Sequence, residues 1–187
     1  NVKIWTIEDP VEITQKGLRQ VQVNSRIGFT FAAALRAFLR ADPDVIMVGE
    51  MRDEETTAMG IEASLTGHLV FSTLHTNSAP ETVPRLLDMG MDPFSFSDAI
   101  LCILAQRLAR RLCSDCRELY TPTTREIEEI ISEYGPEDFS RTGINAAAIT
   151  RARPVGCSKC TESGYRGRLG LHEILAGTDE MKSLIKK

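Results

Sequence analysis

Glu50 stands two residues beyond the apolar run VIMV, in VIMVGEMRDEE, and Glu8, Asp9 and Glu12 follow a second apolar run in VKIWTIEDPVE. A buried strand fixes the height of the residue after it, so both sets of carboxylates are expected at the carboxyl edge of a sheet, where ligands enter open α/β folds. A carboxylate there can orient an attacking water or help to hold hydrated magnesium during phosphate transfer. The plainer reading is a turn or helix-start acid. It accounts for Glu54 and Glu55 behind Asp53, and it stays open for Glu8, Asp9, Glu12 and Glu50.

Cations of the kind such chemistry needs lie nearby in the sequence. Arg36 and Arg40 in RAFLR are four apart, which puts both guanidiniums on one face of a helix, and Arg52 sits beside Glu50. Arginine can bind phosphate through two parallel hydrogen bonds and neutralise its charge; surface ion pairing is the competing role. His68 and His75 bracket LVFSTL. Capping or hydrogen bonding competes with nucleotide sensing for each of them, and a single histidine does not establish a general base. Ser72, Thr73, Thr76 and Ser78 lack the G-x-S-x-G turn of a hydrolase nucleophile. The sequence has no G-x-x-x-x-G-K-S/T loop either, so a nucleotide enzyme would carry its phosphate-cradling element outside these residues.

The five cysteines fall into two Cys-x-x-Cys pairs, Cys113 with Cys116 and Cys157 with Cys160, plus Cys102 in AILCILA. Four thiolates satisfy tetrahedral zinc and leave no vacant position, so such a site is structural and does not activate water. The long intervening segment does not forbid this, because the cost of loop closure grows slowly with length. Structural zinc is favoured over iron–sulfur ligation, thiol redox chemistry or disulfides, and Cys102 reads as a small core residue.

The elements that must position these groups belong to a chain of 187 residues, 42% hydrophobic, sufficient for one substantial core and a small satellite. Its net charge of -4 gives no general drive toward nucleic acid. In QRLARRLC, Arg107, Arg110 and Arg111 recur with leucines at helical spacing, which predicts a solvated helix face in preference to a phosphate or acidic-lipid contact. No apolar run is long enough to span a bilayer. No amino-terminal targeting segment is visible, and the abrupt opening of NVKIWTIEDP in an expected strand reads as a piece of a longer protein.

Strands are expected in VKIWTI, LRQVQV, VIMV and LVFSTLH. Helices are expected after Thr30, after Asp53, over Ser78–Leu87 and over Ser95–Leu112. This succession predicts an α/β fold with a largely parallel sheet, in which hairpins near the start can make the sheet mixed. Residues 1–112 then form the core, 113–175 a cysteine-bearing subdomain with a polar helix in TREIEEIISEY, and 176–187 the start of a further helix.

The ordered combination of TIEDPVE, LRAFLRADPDVIMVGEMRDEET, TGHLVFSTLHTNSAPETVPRLLDMG, LAQRLARRLC, both cysteine pairs and GYRGRLGLHE closely resembles the type II secretion and type IV pilus assembly ATPase family. The resemblance covers nearly the whole chain. It implies a partial RecA-like P-loop NTPase core, lacking the Walker A loop, with an appended tetracysteine zinc subdomain. It makes TIEDPVE the Asp box (Glu8, Asp9, Glu12), VIMVGE the Walker B segment with Glu50 as catalytic glutamate, and TGHLVFSTLHT the His box (His68, His75). Arg36, Arg40 and Arg52 match arginines implicated in nucleotide contacts or communication between subunits. Cys113, Cys116, Cys157 and Cys160 match the zinc module of secretion and pilus-extension members, and no AIRNLIRE-like segment of the retraction branch is present.

ATP, magnesium and structural zinc are the cofactors this implies. The implied assembly is a cytoplasmic homo-oligomer, hexameric in the family, on an inner-membrane platform and without nucleic acid. The isolated chain is expected to bind ATP weakly or not to hydrolyse it. The alternatives are a catalytically silent, zinc-stabilised scaffold and, more remotely, a nucleic-acid-binding zinc protein.

Overall fold

The computed structural model describes residues 2–187, which form two compact units. The first runs through Gln106 and resumes over His172–Lys187; the second is Arg107–Leu171. Among the described residues no helix is long and apolar enough to cross a membrane.

The first unit is built on strands β1 (Ile4–Glu8), β2 (Arg19–Gln22), β3 (Val45–Val48) and β4 (Leu69–Ser72), ordered β2-β1-β3-β4. Every pairing is parallel, so the sheet is not mixed. Side chains alternate between its faces. Ile7, Ile46 and Val48 point to the covered face, where they meet Phe31, Ala34, Leu35 and Phe38 of helix α1 (Phe31–Phe38) and Ala63 of α2 (Glu54–Leu65). Ile4, Thr6, Glu8, Val45, Met47 and Phe71 belong to the other face and line a cavity of about 660 Å³.

Both helices begin where the sequence puts a cap. The Thr30 hydroxyl accepts from the Ala33 N–H at 3.2 Å, and the Asp53 carboxylate accepts from the Thr56 N–H at 2.8 Å. Each satisfies one of the donors that a first helical turn leaves unpaired. Glu54 and Glu55 occupy the first turn of α2, where negative charge complements the helix dipole.

Helices α3 (Thr82–Asp88) and α4 (Pro93–Ala99) follow, and Asp92 caps α4 with Pro93 at its first position. The helix expected over Ser95–Leu112 is not formed. It ends at Ala99, and Cys102–Leu112 is a long strand, β5, paired with β8 (Tyr165–Ala176). Leu104, Leu108 and Leu112 recur every four residues, a spacing that shares one side of a strand as well as one side of a helix. Pairing with a distant strand decides between them. Arg107, Arg110 and Arg111 therefore lie on a strand, and Cys102 is exposed, not part of a core.

The second unit also holds the short antiparallel pair β6 (Glu118–Tyr120) and β7 (Arg151–Arg153), with α5 (Thr124–Tyr134) and α6 (Pro136–Arg141) between them. Thr123 and Glu126 form a capping box at the start of α5, and Glu126 also accepts from the Tyr120 hydroxyl and from Arg151. The Arg110 guanidinium lies 4.1 Å from the centre of the Tyr165 ring. Helix α7 (Asp179–Ile185), capped by Thr178, closes the chain in the first unit, where Glu173 accepts from the Ala79 N–H at 2.7 Å.

Candidate functional site

β1 and β3 are adjacent and parallel, with Ile7 opposite Val48, so their carboxyl ends deliver Glu8 and Glu50 to the same edge. The Gly49 N–H donates to the Ile7 carbonyl at 2.8 Å. A Cβ on Gly49 would stand 3.1 Å from that oxygen and 3.4 Å from the Glu8 Cα, so glycine is what lets the two strand ends approach so closely. From the other side, the Thr73 hydroxyl donates to the Gly49 carbonyl at 2.6 Å and the Met51 N–H donates to the Thr73 carbonyl at 3.0 Å. The backbone on either side of Glu50 is thus strapped to both neighbouring strands.

Glu50 is largely enclosed, its side chain 13% exposed. Its Oε1 is bonded by Arg52 Nη2, and its Oε2 lies 3.3 Å from His75 Nε2. The Arg52 hydrogen bond, aided by His75 and opposed by burial, holds the Glu50 carboxyl below its ordinary range. Glu50, and more distantly Asp9, in turn hold Arg52 more firmly protonated.

Glu8 is fixed differently. Its Oε1 accepts from the Thr6 hydroxyl at 2.6 Å and from Gln20 Nε2 at 3.0 Å, and the same Gln20 nitrogen donates to the Ile13 carbonyl. Glu8, Asp9, Glu12 and Glu50 all line the cavity on the open face. Thr6, Gln20 and Thr73 are site residues that sequence reasoning missed. Thr6 had one available signal, since it stands two residues before Glu8 and so shares its side of the strand.

The remaining candidates separate. Arg36 pairs with Glu55 of α2 at 2.5 Å. Arg40 lies beyond Phe38, the last residue of α1, in the turn before Asp42, so the shared helix face expected for Arg36 and Arg40 is not formed. His68 precedes β4 and His75 follows it. His68 Nδ1 contacts the Ala63 carbonyl at 3.0 Å, near the end of α2, so only His75 of the two reaches Glu50.

The second unit brings Cys113, Cys116, Cys157 and Cys160 together, with all four Sγ atoms within 4.8 Å of one another. A tetrahedron of zinc–sulfur bonds near 2.3 Å has edges of about 3.8 Å. Cys116 and Cys160 are 3.8 Å apart and Cys157 and Cys160 are 3.7 Å apart, so the cluster fits one ion of that size. The N–H groups of Cys157 and Gly164 both donate to Cys160 Sγ at 3.2 Å. Burial works against the Cys160 thiolate, but these donors and the neighbouring thiols bring it down to about 7. Burial is the main reason that Cys116 is pushed up to about 11. Gly164 has φ +72°, and a Cβ there would come within 2.5 Å of Pro154, so this turn requires glycine.

The family model described as "Type II/IV secretion system protein" matches residues 1–187. The chain belongs to that family. It is 50% identical over 182 residues to the type II secretion system protein E of Dickeya dadantii, covering 97% of this chain and 34% of that protein. It is 48% identical over 186 residues to the type IV pilus assembly ATPase PilB of Myxococcus xanthus, covering 99% of this chain and 31% of that protein. The chain thus spans about a third of the length of the curated relatives it matches. Among solved structures, the pilus retraction motor PilT with bound ADP superposes with a TM-score of 0.62 at 29% identity, covering 98% of this chain and 41% of that one. The ATPase DotB of Legionella pneumophila gives 0.57 at 25% identity, covering 97% and 38%.

Proposed function

We propose that this chain supplies part of the ATP-hydrolysing core of a motor for type II secretion or type IV pilus assembly. The observation that supports this most directly is the convergence of Glu50 and Glu8, from adjacent parallel strands, on the rim of one cavity in a chain of this family. Glu50 orients and polarises the attacking water. Glu8, Asp9 and Glu12 supply the hard oxygen donors that suit hydrated magnesium. When bound, that ion neutralises charge on the phosphates.

The amides and lysine of a phosphate-cradling loop are not among these residues, so the isolated chain is inactive on this reading. The assembly is a ring, hexameric as the family resemblance implies, in the cytoplasm and peripheral to the inner membrane through its platform. Zinc on the four cysteines holds residues 113–175 in shape and takes no part in the chemistry.

The test is Glu50→Gln in the full-length protein. ATP binding persists, while turnover falls by about 100-fold or more, the scale of a lost water-orienting base. Normal turnover would reject the assignment. A catalytically silent scaffold would hydrolyse no ATP even with Glu50 intact.

A further inference from the structure

We infer that Arg52 and His75 are positioning residues for Glu50, gripping the two oxygens of its carboxylate from separate elements, and are not primary ligands of the nucleotide. This rests on the proposed role of Glu50 as the water-orienting group. Glu50 stands just past the end of β3, where no ladder hydrogen bond orients its side chain, and the last torsion of a glutamate is soft. One contact would leave the carboxylate free to turn about it. Two contacts on different oxygens, one from Arg52 two residues along the same loop and one from His75 in the segment beyond β4, define its plane.

The relative exposures agree with this order of action. The carboxylate is 13% exposed, whereas Arg52 is 62% and His75 84%, so these two side chains stand on the solvent side of Glu50. A carboxylate only accepts, so His75 must carry a proton on Nε2 to hold it. The backbone straps from Ile7 and Thr73 fix the position of residue 50. Arg52 and His75 then fix the direction in which its lone pairs point, and a water-orienting group needs both to within a few tenths of an ångström and 10–20° or so.

The experiment has two arms. In the full-length protein, Arg52→Gln and His75→Gln are compared with wild type for kcat and for KM toward ATP. Positioning predicts that each lowers kcat by about tenfold while KM stays within about twofold, with Arg52→Lys recovering part of the loss. A rise in KM at unchanged kcat would make them nucleotide ligands and overturn the inference, as would wild-type kinetics. The second arm needs no nucleotide. In this chain, Glu50→Ala should shift the ¹⁵N resonance of His75 Nε2 and collapse the resolved Nη–H signals of Arg52. If both spectra are unchanged, the grip does not exist, whatever the ATPase assay shows. If the spectra change but Glu50→Gln retains full turnover, the grip stands and the hydrolytic reading fails.

Discussion

His75 Nε2 lies 3.3 Å from Glu50 Oε2, although 25 residues separate the two in the sequence. Parallel pairing of β3 with β4, Val48 opposite Ser72, brings both chain ends to one edge, and the short run beyond each strand closes the gap. The carboxylate is therefore engaged on one oxygen by its own loop and on the other by the segment that follows the neighbouring strand.

This arrangement has a titration signature. Glu50 is held below the ordinary glutamate value of 4.5, chiefly by the Arg52 hydrogen bond. A depressed folded-state pKa contributes stability that is complete above the unfolded value and is lost as pH falls through the folded one. A ¹³C-carboxyl NMR titration should place the Glu50 midpoint below that of an exposed glutamate. Arg52→Gln should move it upward. A midpoint indifferent to Arg52 would show that the ion pair is not formed in solution.

Gly49→Ala tests the closeness of the two acid-bearing strand ends. The added Cβ would press on the Ile7 carbonyl, which already accepts the residue-49 N–H, so backbone must yield instead of a flexible side-chain tip. Overpacking of this kind costs about 1–3 kcal/mol, and urea denaturation should show it as a lowered midpoint at unchanged slope. Tolerance without loss would mean that β1 and β3 can separate at this edge at no cost.

The positions of the acids were legible because each follows an apolar strand, and the caps at Thr30 and Asp53 were legible because a short polar side chain opens an amphipathic run; the capping box at Thr123 was not read from the sequence. Strand β5 was not legible. Its four-residue leucine spacing serves helix and strand alike, and its partner β8 comes from the far side of the cysteine segment. The partners of the charged groups were also hidden. Arg36 finds Glu55 on another helix, and Arg40 leaves its expected face because α1 ends two residues before it. Such contacts depend on packing between elements, which periodicity along one element does not encode.

That packing separates two neighbouring residues of α1. Leu35 is fully buried between sheet and helix, whereas the Arg36–Glu55 pair is exposed at 54% and 62%. Leu35→Ala should cost about 2–5 kcal/mol through lost burial and an unfilled cavity. Arg36→Gln should cost at most about 1 kcal/mol, as for exposed ion pairs generally. Chemical denaturation of the two variants measures the contrast directly. An Arg36→Gln loss as large as that of Leu35→Ala would give the arginine a structural role that its exposure does not suggest.

Metal removal should unfold the second unit selectively. Its buried residues are Cys113, Pro122, Cys160 and Gly164, so the thiol cluster stands where other domains have an apolar core. When a site does not exist in the unfolded chain, metal-binding free energy becomes folding free energy. Purified protein should carry one zinc per chain. Chelation should expose Arg107–Leu171 to proteolysis while the β2-β1-β3-β4 sheet stays protected from hydrogen exchange. Zinc must also displace a proton from Cys116, whose thiol is pushed up to about 11, so rebinding should release protons and weaken as pH falls. A second unit that resists protease equally with and without metal would show that the β6–β7 ladder and the Glu126 and Glu118 contacts hold it together without the ion.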